Sequence, residues 1–501
     1  MSSPFLTALM SICRLSGLLP LLVGTMAGLI VGVVPGLGSI QGIVLLLPLT
    51  YAMDPDKALV MLTAIYCASV FGGSITAILF RIPGTESSVM TTIDGYELTQ
   101  KGYAGKAIGT AMLCSGIGGI IGVLILQLLA PQLAQIALKF GPPEYFALCV
   151  LGLSCVSSVG TQSQLKAVIS ALLGLFLATI GIDPISGADR FTFGLNLLKS
   201  GVPFTPAIIG LFAISEILKQ IDKPAGRTVG SQYARVKVQF LTLAELVRMK
   251  WLILRSSLIG TWIGILPGVG ASTAAVIAYN QEMRLSKDPS KWGTGILEGV
   301  AAPETSNNAS VGGAMVPLLS LGIPGSSTAA VLIGAFLIHG LRPGPLLFMT
   351  NPDVVYSIFA GMYMANILMV LLSFVIVRLV VRILAVPYST LSSVIIVICV
   401  SGAIVLGGFS NVWTLIVFGI VGFFMSNYGF PLSPVVIALV LGPMLEANLR
   451  RALVMSQHGF LGFFTRPITA VLLIASFLYF IAPILNRWRR RRMGKETTTE
   501  A

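Results

Sequence analysis

Charge is what this sequence has least of. Only 10% of its 501 residues are Asp, Glu, Lys or Arg, and histidine occurs twice, at His339 and His458. A soluble domain carries about 25% charged residues on its hydrated surface, so a water-exposed globule of this size is excluded. The scarcity also limits chemistry. Neither histidine lies in HExxH, no GxxxxGK[ST] loop is present to cradle nucleotide phosphates, and no GxSxG elbow offers a serine nucleophile. An enzyme is not expected. The six cysteines (Cys13, Cys67, Cys114, Cys149, Cys155, Cys399) sit in or beside apolar runs without CxxC or Cys/His spacing, so neither a zinc site, nor a disulfide framework, nor any cofactor is expected.

Hydrophobic residues make up 55% of the chain and mean hydropathy is +0.91. Stretches near the ~20 residues needed to cross a bilayer recur from Ser16–Val34 to Ile468–Ile484. Several are short or interrupted, which predicts an all-α polytopic membrane protein with roughly 10–12 transmembrane helices plus re-entrant or broken helical hairpins. One basic residue, Arg14, precedes the first run and further runs follow it directly, so no cleavable signal peptide is expected.

The net charge of +13 is unevenly spread. Lys219, Lys223, Arg227, Arg235, Lys237, Arg248, Lys250 and Arg255 occupy a central polar segment, and Arg487, Arg489, Arg490, Arg491, Arg492 and Lys495 follow the last apolar run. Basic loops stay on the cytoplasmic side, so the central loop and the C-terminus are expected there. No aromatic-interleaved platform accompanies the basic runs, so nucleic acid is not an expected partner; anionic lipid is the simpler contact for RWRRRR.

The two halves repeat. GLIVGVVPGLG from Gly28 matches GTWIGILPGVG from Gly260 with five identities in register, GGSITAILFRIPG from Gly72 matches GGAMVPLLSLGIPG from Gly312 with one inserted residue, and GVPFTPAIIG from Gly201 matches GFPLSPVVIA from Gly429. The expected organisation is a first transmembrane repeat (1–218), a basic cytoplasmic linker (219–250), a second repeat (251–485) and a basic cytoplasmic tail (486–501). Sequence leaves the handedness of the two-fold repeat open; inversion is favoured because interrupted helices in matching positions are the mark of inverted-repeat transporters.

Proline removes a backbone donor and glycine relaxes the dihedral limits, so PGLG (Pro35, Gly36, Gly38) and PGVG (Pro267, Gly268, Gly270, with Ser272 behind it) should each end one half-helix and begin another. Non-helical backbone survives at membrane depth only against protein or a water-filled cavity, and a half-helix start presents free N–H groups to an anion. Close glycine-mediated packing is the competing account. In the first half Gly73, Ser74 and Thr76 precede Pro83-Gly84, and Arg81 reads as interfacial or as a substrate contact. In the second, Glu304, Ser306, Asn307 and Asn308 crowd one end of an apolar run and Pro324, Gly325, Ser326, Ser327 and Thr328 the other, which predicts a hairpin with a polar tip at Glu304–Asn308. Such tips can hold a carboxylate and a small cation, with a sodium site near Asn307 and Asn308; ordinary helix capping is the alternative for each residue singly. An acid in an apolar region marks an ion or proton path, although Glu304 also fits a helix N-terminal or interfacial position.

The run APETSNNASVGGAMVPLLSLGIPGSS, with GVVPGLGSIQG and YCASVFGGSITAILFRIPGT, resembles the large membrane subunit (TctA) of the tripartite tricarboxylate transporter family over about residues 16–485. The resemblance implies an ion-driven uptake system of the bacterial inner membrane for citrate-like tricarboxylates or related organic carboxylates. It implies two partners, a small membrane subunit (TctB-like) and a periplasmic substrate-binding protein (TctC-like), with sodium or proton as the coupling cation. A passive organic-anion channel and a non-transporting subunit of a membrane complex are the rival readings of the residues.

Overall fold

Proline and glycine set the ends of the helices in this chain. The computed structural model describes residues 4–158, 163–183, 186–221, 236–384, 388–456 and 459–492; Lys223, Arg227, Arg235, His458 and Lys495 lie outside the described residues. Two compact units are present, Met1–Leu138 with Val202–Tyr428, and Lys139–Gly201 with Gly429–Ala501. Each draws on both halves of the sequence, so the packing units cut across the expected repeats.

In the first unit the helices that matter are α1 (Pro4–Cys13), α2 (Leu15–Val33), α3 (Ser39–Leu46), α4 (Pro55–Phe80), α5 (Thr91–Gln100), α6 (Ala104–Ala137), α7 (Lys250–Ile265), α8 (Gly270–Leu285), α9 (Leu297–Leu321), α10 (Ser327–Ile338) and α11 (Pro352–Leu384). As expected, PGLG separates α2 from α3 and PGVG separates α7 from α8, with Gly36 and Gly268 at φ +86° and +79° where a side chain would be strained.

Glycine spacing then fixes which helices touch. A Cβ added at Gly24, Gly28 or Gly32 of α2 would lie 2.3, 2.7 or 2.4 Å from the carbonyl oxygens of Met61, Ile65 and Ser69 in α4. The contacts advance together along both helices, so α2 and α4 are parallel. Gly260 and Gly264 of α7 meet Ser306 and Ser310 of α9 in the same way, at 2.2 and 2.3 Å, and Gly118 and Gly122 of α6 meet Thr305 and Ala309 at 2.2 and 2.5 Å. Small residues at four-residue spacing let backbones approach where lipid supplies no hydrophobic drive between helices. Helix α9 is thus clamped between two parallel neighbours and is buried from Gly299 to Ser320. Helix α4 is buried from Ala58 to Leu79. The two run oppositely: Ser74 of α4 meets Glu304 early in α9, while Tyr66, earlier in α4, meets Ser326 beyond the end of α9.

Six helices among the described residues are long and apolar enough to cross a membrane, and six further apolar helices are shorter. Together they make the expected all-α polytopic membrane protein with broken helices. Breaks shorten several runs, and α9, enclosed by protein on all sides, is free to be polar.

The second unit packs Pro142–Ser158, Gln164–Ala178, Ser433–Met455 and Pro467–Arg492 beside a two-residue antiparallel strand pair, Gly181–Ile182 with Asp189–Arg190. Ion pairs Arg450–Asp183 (2.8 Å) and Arg190–Glu446 (2.6 Å) tie that strand pair to the Ser433–Met455 helix.

Candidate functional site

Each of the buried helices α4 and α9 ends in a left-handed residue, Arg81 (φ +59°) and Gly322 (φ +73°), after which the chain folds back along its own helix. Ile82 N–H donates to Thr76 O at 3.4 Å and Ile323 N–H to Pro317 O at 3.2 Å. The Pro-Gly peptides that follow press on backbone. A Cβ at Gly84 would lie 2.2 Å from Gly32 O and 2.7 Å from Gly73 Cα; at Gly325 it would lie 2.5 Å from Gly264 O and 2.6 Å from Ala314 Cα. These correspondences (Thr76/Pro317, Arg81/Gly322, Pro83/Pro324, Gly84/Gly325) share one offset, so contacts pair Gly72 with Gly313 and need no inserted residue.

The polar residues of α9 are not a hairpin tip. Glu304, Ser306, Asn307 and Asn308 lie inside a continuous 25-residue helix; the break comes later, at Gly322–Ser326. The hydroxyls that looked like caps instead bond backward or sideways, as Thr305 does to Ala301 O (2.7 Å) and Ser306 to Ala274 O of α8 (2.9 Å). Glu304 is fully buried. Its Oε1 accepts from Ser74 Oγ at 2.5 Å, from Thr91 Oγ1, and from Asn307 Nδ2 at 3.5 Å; its Oε2 accepts from Ser115 Oγ at 2.9 Å. Four donors from α4, α5, α6 and α9 therefore converge on one carboxyl group. The ion pairs of this unit's described residues lie elsewhere, such as Arg255–Glu282 at 2.6 Å and Lys106–Glu245 at 2.6 Å. A buried charge without a cationic partner is costly and persists only through such hydrogen bonds.

Of the residues singled out in the sequence, Ser74, Glu304 and Asn307 are brought into this cluster, with Asn308 bonded to Asn307 Oδ1 at 2.9 Å. Gly73 and Thr76 lie beside the first turn, Thr76 Oγ1 donating to Gly73 O at 3.2 Å. Ser326 caps α10, accepting from Ala329 N–H at 3.1 Å, and pairs with Tyr66 Oη at 2.7 Å; Ser327 and Thr328 form the first turn of α10. No hydrogen bond among the described residues joins Pro35, Gly36, Gly38, Pro267, Gly270 or Ser272 to Glu304, although Gly268 N–H donates to Gly325 O at 3.0 Å. The two breaks frame the site and do not line it. Thr91, Ser115 and Tyr66 were missed, because a single hydroxyl carries no spacing signal that says which partner it meets; so was Ser87, whose backbone oxygen accepts from Asn307 Nδ2 at 3.5 Å.

Asp94 was missed as well, and it explains how Thr91 is held. Three residues apart, Thr91 and Asp94 share a face of α5. Asp94, fully buried, accepts N–H groups from Gly293 (3.1 Å), Gly295 (2.8 Å) and Ile296 (3.0 Å) at the start of α9, and Tyr279 Oη of α8 at 2.8 Å. Free amides at a helix start suit an anion, so α5 is pinned where Thr91 reaches Glu304. The segment around Asp94, TTIDGYELTQ, is largely polar, so nothing in the sequence set this acid apart.

No cluster of three or more His, Cys, Asp or Glu exists among the described residues. The family model described as "Tripartite tricarboxylate transporter TctA family" matches residues 18–437. An uncharacterized 52.8 kDa protein in the TAR-I ttuC' 3' region of Agrobacterium vitis is 39% identical over 471 residues, covering 94% of this chain and 93% of the relative. A second Agrobacterium vitis protein, uncharacterized, in the TAR-II ttuC' 3' region, is 36% identical over 234 residues, covering 46% of this chain and 97% of its own length. No solved structure matches. The match over most of the sequence means that this chain belongs to the tripartite tricarboxylate transporter TctA family.

Proposed function

We propose that this chain is the large permease subunit of an ion-coupled secondary transporter, importing small organic carboxylates (citrate-like tricarboxylates or related acids) across a bacterial inner membrane by alternating access. Its partners in this reading are a small TctB-like membrane subunit and a TctC-like periplasmic binding protein that delivers the substrate. The observation that carries the coupled mechanism is Glu304, a fully buried carboxyl held by hydroxyls and a carboxamide from four helices. Intramembrane acids in protein interiors mark ion and proton paths. The opposed directions of the α2/α4 and α7/α9 pairs support the inverted reading of the repeat.

Energetics favour coupling. Bringing an anion into an inside-negative cell costs about 2.3 kcal/mol per charge per 100 mV, so a dianion or trianion needs co-transported cations, sodium or protons, to run inward. The basic central loop and C-terminus then face the cytoplasm. Proteoliposomes holding the chain and its small partner, fed by the binding protein, test the reading. Uptake against a concentration gradient should require an inward cation gradient. Flux down the substrate gradient alone would replace the symporter by a passive channel, and no flux with correctly inserted protein would leave a non-transporting subunit.

A further inference from the structure

Of the buried side-chain oxygens in the first unit that have no hydrogen-bond partner (Tyr51 Oη, Ser256 Oγ, Asn308 Oδ1 and Asn366 Oδ1), two are carboxamide oxygens, which can only accept. Asn308 Nδ2 donates to Asn307 Oδ1 and, at 3.4 Å, to Glu304 O, which fixes its orientation and leaves Asn308 Oδ1 without a partner. Asn366 of α11 donates from Nδ2 to Met362 O at 2.8 Å, and its Oδ1 is likewise without a hydrogen-bond partner. Both side chains are 1% exposed. An orphaned acceptor at that depth is rare in folded proteins and calls for an occupant.

Asn366 Oδ1 lies against Gly119 of α6, and the helix register brings Asn308 to the same level. A Cβ at Gly119 would lie 1.9 Å from Asn366 Oδ1, so the absence of a side chain is what makes room for that carboxamide. Ser115, one turn earlier in α6, meets Glu304, one turn earlier in α9; Gly118 and Gly122 meet Thr305 and Ala309. Parallel helices in that register set Asn308 level with Gly119. Glu304 therefore sits one helical turn from the same place, a buried carboxyl to which none of this unit's ion pairs among the described residues brings a cation.

From these positions we infer that Asn308 Oδ1 and Asn366 Oδ1, over Gly119 and within a turn of Glu304, hold a small monovalent cation. Two neutral carboxamide oxygens and one nearby carboxylate match a single positive charge, and hard oxygen ligands suit an alkali ion. A water would satisfy the two acceptors yet leave Glu304 uncompensated. The inference deepens the ion-coupled reading above, on which it rests, and moves the expected sodium site from Asn307/Asn308 to Asn308/Asn366, adding a ligand from α11.

Sodium binding to the purified full chain tests it without transport. Scintillation proximity with radioactive sodium, together with melting temperature in sodium, potassium, lithium or choline chloride at equal ionic strength, should give saturable sodium binding and a sodium-specific rise in wild-type Tm. In Asn366→Leu and Asn308→Leu, affinity should fall by about tenfold or more, a loss of ~1.4 kcal/mol. In choline the leucine variants should melt no lower than wild type, because they remove an unsatisfied acceptor. Wild type without saturable cation binding, or leucine variants that bind sodium normally, overturns the inference. If the leucine variants do not fold, Asn366→Asp, which keeps an oxygen and adds charge, must bind sodium more tightly, and unchanged or weaker binding overturns it. Proton-driven uptake by a protein that binds no sodium would sink this site and leave the transporter standing; sodium binding without uptake would do the reverse.

Discussion

Gly84 and Gly325 occupy corresponding places in the first unit, each pressed between a glycine carbonyl of a parallel neighbour (Gly32, Gly264) and its own helix. The side chains around them differ. Near the first break stand Glu304 and its hydroxyl donors; near the second, Ser326 pairs with Tyr66 and no acid is engaged. The backbone frame is shared because it depends only on glycine, proline and helix register, while the chemistry is placed by a few polar residues that one half has and the other lacks. The asymmetry is also crossed: the acid belongs to the second half, but Ser74, Thr91 and Ser115 come from the first.

The sharpest way to break this comparison is Glu304→Gln. It removes the ionisable group and keeps the shape, and coupled uptake should fall by about a hundredfold, since an intramembrane acid on an ion or proton path cannot be replaced by an amide that does not titrate; melting temperature checks that the protein remains folded. Normal uptake by this variant would make the two breaks functionally equal. Gly84→Val and Gly325→Val should each cost about 3 kcal/mol or more through overpacking against backbone that cannot move, read as a lowered Tm in detergent. Equal losses would confirm a common frame, and tolerance at either position would show the likeness to be superficial.

Asp94→Asn is a gentler probe. One acceptor oxygen survives and the charge opposite three N–H groups is lost, so stability should drop by about 2 kcal/mol. Uptake should fall further than that drop predicts, because Thr91 is then free to leave Glu304. The smallest effect concerns Glu245, where Lys106, then the Thr242 cap, hold the carboxyl down from 4.5 to about 2. Because its folded value is depressed, its contribution is full above the ordinary carboxylate range and disappears as pH falls through about 2. The difference in Tm between wild type and Glu245→Gln should be slight at pH 7, shrink below about pH 4.5 and weaken with salt.

The membrane class, the interruptions at PGLG and PGVG and the presence of an acid, Glu304, in an apolar half were legible in sequence. They follow from local rules: apolar length, the missing N–H of proline, and an acid where acids are expensive. The tip at Glu304–Asn308 was misread because polar residues beside a proline resemble a capping sequence, whereas full enclosure lets them continue a helix. Thr91, Ser115, Tyr66 and Asn366 could not be found along the chain, since nothing in the local sequence says which distant neighbour a hydroxyl or amide will meet.

Sequence by itself determined that this chain is a membrane protein with broken helices and a scarce acid in its second half. Only tertiary structure decided that α4 and α9 run oppositely through the first unit's interior, and so which side chains share the acid. Local composition sets where helices begin and end; partners hundreds of residues apart are chosen by which glycine faces allow two backbones to touch.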